Sequence, residues 1–318
     1  MGFLYSQLVV KPPYPTSMFS GMTVIVTGSN TGLGKEAARH FARLGAAKLI
    51  LAVRNIKAGE AAKKDIEATT QCPSSVIEVW SLDLSSYDSV KAFASRASSL
   101  PRIDVLCENA GIAASKFQLA EGHERTITVN VISTFLLALL LLPKLKATAK
   151  EFKTEPHLTI VSSEVHGWTK FPEWKEPNVF KALDDESKSN FEERYPTSKL
   201  LEVLVIRAIA PKLAGSGVIL NYLNPGLCHS ELSREAGWGL TIMKFFLARP
   251  TEVGSRTLVA SATAGPESHG KYMSDSKVED DNVSPFVKSE DGKKAADKVW
   301  SELSEILEGA QPGVTKNL

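Results

Sequence analysis

The 318-residue chain is poor in cysteine, in net charge and in long apolar runs, and each shortage narrows what it can be. Its three cysteines, Cys72, Cys107 and Cys228, are odd in number and form no CxxC pair. A disulfide framework and a thiolate metal site are therefore not expected, no metal is assigned, and a reducing, cytoplasmic setting is the natural one. With 37 basic against 36 acidic side chains the formal charge is +1, which offers no electrostatic footprint for nucleic acid or an anionic membrane. The longest apolar run, Phe135 to Leu142, stops at Pro143 and is too short to cross a bilayer. No basic stretch precedes an apolar core at the N-terminus, and Lys11-Pro12-Pro13-Tyr14-Pro15 would interrupt one. Met1-Gly2 with Ser6 fits a myristoylation pattern, but no basic cluster supplies the second anchor, so stable membrane attachment is not expected.

What is present is an ordinary globular composition, 43% hydrophobic and 23% charged. After an arm over residues 1–20, short β-rich runs alternate with longer helical stretches. Strands are predicted at Thr23 to Thr27, Lys48 to Val53, Val76 to Leu82, Ile103 to Cys107, Leu158 to Ser162, Val218 to Tyr222 and Gly270 to Met273. They are continuous apolar runs, as strands covered on both faces should be. Helical segments fall around 34–44, 57–69, 87–98, 122–148, 197–213 and 252–263. This alternation predicts an α/β, doubly wound, seven-stranded parallel sheet flanked by helices, in one domain over 21–275. Residues 276–318 read as a C-terminal extension with an amphipathic helix around Ala296, Val299, Trp300, Leu303 and Leu307.

Two stretches interrupt the alternation. Residues 164–194 carry Trp168, Phe171, Trp174, Phe180 and Phe191. Residues 231–250 carry Trp238, Leu240, Ile242, Met243, Phe245 and Phe246. Long ordered loops in compact domains are usually functional. Both read as lids over an apolar small molecule, with packing beneath a loop as the alternative.

The first strand runs into Gly28-Ser29-Asn30-Thr31-Gly32-Leu33-Gly34 and then a helix. Glycines there permit a tight turn and close approach to a pyrophosphate, which the helix N-terminus favours. In this strand–turn–helix context the loop reads as a dinucleotide site. Where an NAD enzyme places an acid at the end of the second strand, this chain has Arg54. A guanidinium can bind a 2′-phosphate, so NADP(H) is expected ahead of NAD(H); a solvated Arg54 that leaves both cofactors acceptable is the alternative.

Tyr195 and Lys199 are four residues apart at the start of a predicted helix and share a face. A tyrosine is a poor base at neutral pH, and a neighbouring ammonium favours its phenolate. Ser162-Ser163 at a strand end and Asn130 in a long helix complete the set.

In these motifs, residues 20–275 resemble the short-chain dehydrogenase/reductase family. The resemblance implies a catalytic tetrad of Asn130, Ser163, Tyr195 and Lys199. It further implies cofactor contacts from Asp83 and Leu84, from Asn109-Ala110-Gly111, and from Pro225-Gly226 and Ser230, besides the glycine loop, Arg54, Tyr195 and Lys199. Tyr195 would pass the proton at the substrate oxygen and Ser163 would bind that oxygen. Lys199 would hold the nicotinamide ribose, and Asn130 would steady a water. Two features depart from the family pattern. Glu108 stands where a first asparagine is usual. Ser163 and Tyr195 lie far apart in sequence, so Ser162 is an alternative. The long insertion resembles the retinol-dehydrogenase-like branch, while Asn224 to Leu232 resembles reductases of fungal secondary metabolism. His166 and His229 near the site read as lining or core residues.

The implied function is NADP(H)-dependent hydride transfer to or from the carbonyl or alcohol of a bulky, largely apolar small molecule. Isomerisation, cyclisation or dehydration without net cofactor turnover is the alternative, and a non-catalytic cofactor sensor ranks behind it. Family habit implies a homodimer or homotetramer.

Overall fold

A computed structural model describes residues 3–229 and 248–318, without the side chains of Phe3 and Leu4. Eight strands form its central sheet: β1 (Thr23–Thr27), β2 (Lys48–Val53), β3 (Ile77–Ser81), β4 (Val105–Glu108), β5 (His157–Val161), β6 (Ile219–Asn224), β7 (Tyr272–Ser274) and β8 (Lys277–Val278). In space they run β8-β7-β6-β5-β4-β1-β2-β3. The seven expected strands are parallel, and the two-residue β8 pairs antiparallel with β7 at the edge. Strand order reverses between β1 and β4, so a crevice opens beyond their carboxyl ends. That is where open α/β sheets bind ligands.

Alternation of side chains along each strand explains the two layers of core. Ile25 and Ile50 point into one apolar cluster with Phe135, Leu142, Leu204 and Leu303. Val24, Val26, Leu49 and Leu51 point into a second with Phe19, Phe41 and Ile66. Helix α1 (Phe3–Val9) precedes the sheet, and α2 (Gly32–Arg43), α3 (Ile56–Thr70), α4 (Tyr87–Ser98), α5 (Ser133–Phe152), α6 (Phe191–Ile209), α7 (Thr251–Ser261) and α8 (Glu290–Ala310) supply buried residues to these faces. Asn55 caps α3 and Ser86 caps α4 through their side-chain oxygens. The helical stretch Arg125–Phe152 is long and apolar enough to span a bilayer, but 89% of its most apolar window is buried in the protein.

Several sequence expectations shift here. The arm is not irregular throughout, because α1 forms and Gln7 pins the turn after β6. Its amide donates to the Leu227 carbonyl (2.7 Å) and accepts from the Leu227 N–H (3.0 Å). Helix α6 begins at Phe191 and carries Pro196 inside it, rather than starting after that proline. In the first insertion, Phe171 and Phe180 are fully buried in the core and Trp174 packs against it. Phe171 and Trp174 meet Phe286 in ring contacts. Packing beneath the loop therefore accounts for those three aromatics, while Trp168 stays 54% exposed. Of the second insertion, residues 231–247 lie outside the described residues, as does Ser230.

Candidate active site

The glycine loop has the shape its sequence requires. Gly28 and Gly32 take φ of 65° and 60°, a left-handed conformation that glycine adopts without strain. A side chain at Gly28 would sit 2.9 Å from the Ala110 Cα, and one at Gly34 would sit 2.7 Å from the Gly28 carbonyl oxygen. Ser29 anchors the loop by donating its hydroxyl to the Val26 carbonyl (2.8 Å). At the mouth of α2, Thr31 has an extended backbone and no side-chain cap. The first N–H groups of α2 are thus left without a side-chain acceptor at the place where a pyrophosphate would need them. Asn30 is partly exposed in the loop, and Leu33 packs against the second core cluster.

The remaining cofactor candidates gather around the same crevice. Arg54 is exposed at the end of β2 and has no partner among the described residues. Asp83 follows β3, where its carboxylate accepts from the Ser85 N–H (2.9 Å) and its own N–H donates to the Ser89 hydroxyl (2.9 Å). Leu84 beside it is buried. The hydroxyl of Thr27 accepts from the N–H groups of both Asn109 (3.0 Å) and Ala110 (2.9 Å), which locks the end of β4 to the end of β1. At Gly111 a Cβ would meet Asn130 Oδ1 at 3.3 Å and Lys199 Nζ at 3.7 Å, so its lack of side chain keeps the two ends of the tetrad close. Gly226 takes φ of 80° and donates its N–H to the Asn224 side chain (3.0 Å), turning the chain sharply after β6. Pro225 precedes it in that turn. A glycine cradle, an uncapped helix mouth and a free guanidinium together fit a phosphorylated dinucleotide.

The four tetrad candidates come from three elements. Asn130 lies in a π-helical segment, Thr128–Ile132, ahead of α5 and is fully buried. Its amide accepts from the Ile112 N–H and donates to the Ile112 carbonyl and the Ser198 hydroxyl, each at 2.9 Å. Ser163 follows β5 and caps the short helical turn after it. Ser162, the alternative, turns the other way and donates to the Lys199 carbonyl (3.2 Å). Tyr195 and Lys199 share one face of α6 as their spacing predicts, with the ammonium 5.7 Å from the Tyr195 ring centre. Burial holds the Tyr195 phenol above its ordinary value, Lys199 and the Ser163 hydroxyl pull it down, and Glu202 pushes it up. Lys199 thus acts in the direction its spacing suggested, while burial and Glu202 oppose it.

The unforeseen member is Glu202. Its carboxylate accepts from Lys199 Nζ at 2.7 Å, and the same ammonium donates to the Val161 carbonyl at 2.9 Å. Burial opposes the Lys199 charge, but Glu202 and Tyr195 hold its pKa above the ordinary lysine value. A Lys-x-x-Glu spacing was the only sequence signal, and on most helices that spacing marks an exposed ion pair. His166 is a core residue. Its Nδ1 donates to the Ser163 carbonyl (2.7 Å) and its Nε2 accepts from the Ser284 N–H (3.1 Å).

Comparison with known proteins agrees with this architecture. The short chain dehydrogenase family profile matches residues 22–154. A short chain dehydrogenase/reductase of Cryptosporiopsis sp., dmxR8, is 53% identical over the full length of both chains. A short-chain dehydrogenase of Penicillium roqueforti, anuD, is 46% identical over 99% of this chain and 84% of its own. Among solved structures, the Pseudomonas aeruginosa RhlG/NADP active-site complex superposes with a TM-score of 0.61 at 21% identity, over 82% of this chain and 97% of that one. The chain belongs to the short-chain dehydrogenase/reductase family.

Proposed function

We propose that this family member is an NADP(H)-dependent oxidoreductase that acts on the carbonyl or alcohol of a bulky, largely apolar small molecule. The observation that carries the reading is the convergence of Ser163, Tyr195 and Lys199 on the crevice that the glycine loop and Arg54 open toward. The bound nicotinamide would supply or accept the hydride. Tyr195, with Ser163 beside it, would hold the substrate oxygen and pass its proton. Lys199 would orient the ribose and stabilise negative charge on the phenol oxygen. Asn130, fastened to both backbone groups of Ile112, would keep the segment after β4 in place behind Lys199. Arg54 favours a 2′-phosphate because a guanidinium forms paired, charge-assisted bonds to phosphate oxygens. The NADP in the RhlG complex is consistent with that choice, and Trp168, in the segment that follows Ser163, offers an exposed apolar surface.

Reduction of bulky aromatic and alicyclic ketones tests the reading directly. The wild type is expected to consume NADPH well ahead of NADH, and Arg54→Asp to reverse the order because a carboxylate repels the 2′-phosphate. A wild type that prefers NADH would overturn the cofactor assignment. Absence of NADPH consumption with any such ketone, and of NADP+ reduction with the matching alcohols, would overturn the activity.

A further inference from the structure

Two buried carboxyl groups stand behind the tetrad, and the mechanism above uses neither. Glu202 lies one turn beyond Lys199 on α6 and is 1% exposed. Glu108 ends β4, also buried, and both of its oxygens lack a hydrogen-bond partner among the described residues. β4 lies beside β5, which pairs Glu108 with Ile160 and leads directly to Ser162 and Ser163. The Glu202 charge raises Glu108, while Lys199 is the ammonium bonded to Glu202. Among the described residues no second cation is bonded to Glu202, so Lys199 answers its charge.

We propose that Glu202 is a positioning residue that holds the Lys199 ammonium against the Val161 carbonyl, and that its buried carboxylate sets how much charge Lys199 presents to Tyr195. This rests on the assignment of Tyr195 and Lys199 in the preceding section. With Glu202 ionised, the Lys199 charge is largely answered. Tyr195 then stays a phenol, the form that can donate to a carbonyl. With Glu202 neutral, the Lys199 charge is unanswered and phenolate is favoured.

The groups facing Glu202 bear this out. Lys199 and Tyr195 come from its own helix, Ser162 from the end of β5, and Glu108 from β4. Helix α8, packed on α6, buries the apolar Ala295, Val299 and Leu303. Burial raises Glu202 to about 7 although Lys199 and Ser162 oppose the rise. Burial and the Glu202 charge lift Glu108 well above the usual carboxylate range.

The test needs no substrate. Protein labelled with 13C at the tyrosine ring carbon bearing the hydroxyl gives one NMR signal for each of six tyrosines, and Tyr195→Phe identifies the one to follow. Glu202→Gln is expected to lower the Tyr195 ionisation midpoint by about 1 pH unit. Glu202→Asp, which keeps the charge, is expected to stay near wild type. The other five signals report that each variant is folded. Carboxyl-labelled glutamate gives the second readout: Lys199→Gln is expected to raise the Glu202 midpoint further, because the ammonium that opposes the rise is gone. An unchanged Tyr195 midpoint in Glu202→Gln overturns the positioning role. An unchanged Glu202 midpoint in Lys199→Gln overturns the pairing of Lys199 with Glu202, and that measurement stands even if Glu202→Gln fails to fold. Because neither readout involves turnover, an inactive wild type would remove the hydride-transfer reading while leaving these titrations to decide the role of Glu202 separately.

Discussion

Tyr195 shows what one side chain can and cannot disclose in a sequence. Its partnership with Lys199 follows from four-residue spacing on a helix, and the structure keeps both on one face. The balance of forces on its hydroxyl does not follow, because that balance depends on burial and on Glu202. Glu202 itself was not legible. Its spacing from Lys199 resembles any surface ion pair, and only the sheet and α8 closing over α6 turn it into a buried one. Glu108 was visible as a departure from the family pattern, but its neighbour Glu202 is nearly a hundred residues away in the chain. For the reaction itself, Tyr195→Phe removes the group proposed to move the substrate proton. Turnover is expected to fall by about 10²–10⁴-fold. Cofactor affinity, measured by NADPH fluorescence, should stay near wild type, since the glycine loop and Arg54 are untouched. Equal loss of binding would mean that Tyr195 is structural.

Among the elements, the seven parallel strands were readable because strands covered on both faces need continuous apolar runs. β1 and β2 match their predicted bounds residue for residue. β8 escaped notice because two residues carry no period. The π-helical turn at Asn130 escaped because a widened hydrogen-bond register leaves no trace in the apolar pattern. Pro196 misplaced the start of α6. Proline is common in a first helical turn, yet here Glu192 and Glu193 occupy that turn, where acids suit the helix dipole. The β1–loop–α2 unit is the element with the least tolerance. Gly34→Ala would drive a methyl group into the Asn109 amide and the Gly28 carbonyl. We expect a loss of about 1–3 kcal/mol by urea unfolding, together with weakened NADPH binding. Gly32→Ala, with open space around it but φ of 60°, should cost less, about 1 kcal/mol. Equal costs at the two positions would contradict the close helix–strand approach at Gly34.

For the whole molecule, buried titratable groups make stability depend on pH in two opposing windows. Burial holds His40, His157 and His166 below the ordinary histidine value. Their contribution is complete above that value and is lost as pH falls, because the unfolded chain then takes up more protons. Glu202, raised to about 7, and Glu108, raised well above the usual carboxylate range, act in the other direction. The folded protein binds more protons than the unfolded chain above the ordinary glutamate range, so their contribution is lost as pH rises. Replacing Glu108 by Gln isolates this second window. Relative to wild type, the variant is expected to gain stability as pH rises above the ordinary glutamate range, measured by urea unfolding at each pH. A difference that stays constant with pH would show that Glu108 is charged in the folded protein. At this scale the sequence disclosed the layers and the crevice, while the first insertion, for which a lid and packing beneath a loop were both open, buries Phe171 and Phe180 in the core with residues of the C-terminal segment.

Hydride transfer is the central claim, and one isotope experiment addresses it. NADPH carrying deuterium at the transferable position is incubated with the protein and a panel of bulky ketones, and the products are read by mass spectrometry. Deuterium on the new carbinol carbon, absent when Tyr195→Phe replaces the wild type, is the predicted result. A product formed without label and without cofactor consumption would contradict it and make the tetrad an isomerising or dehydrating site.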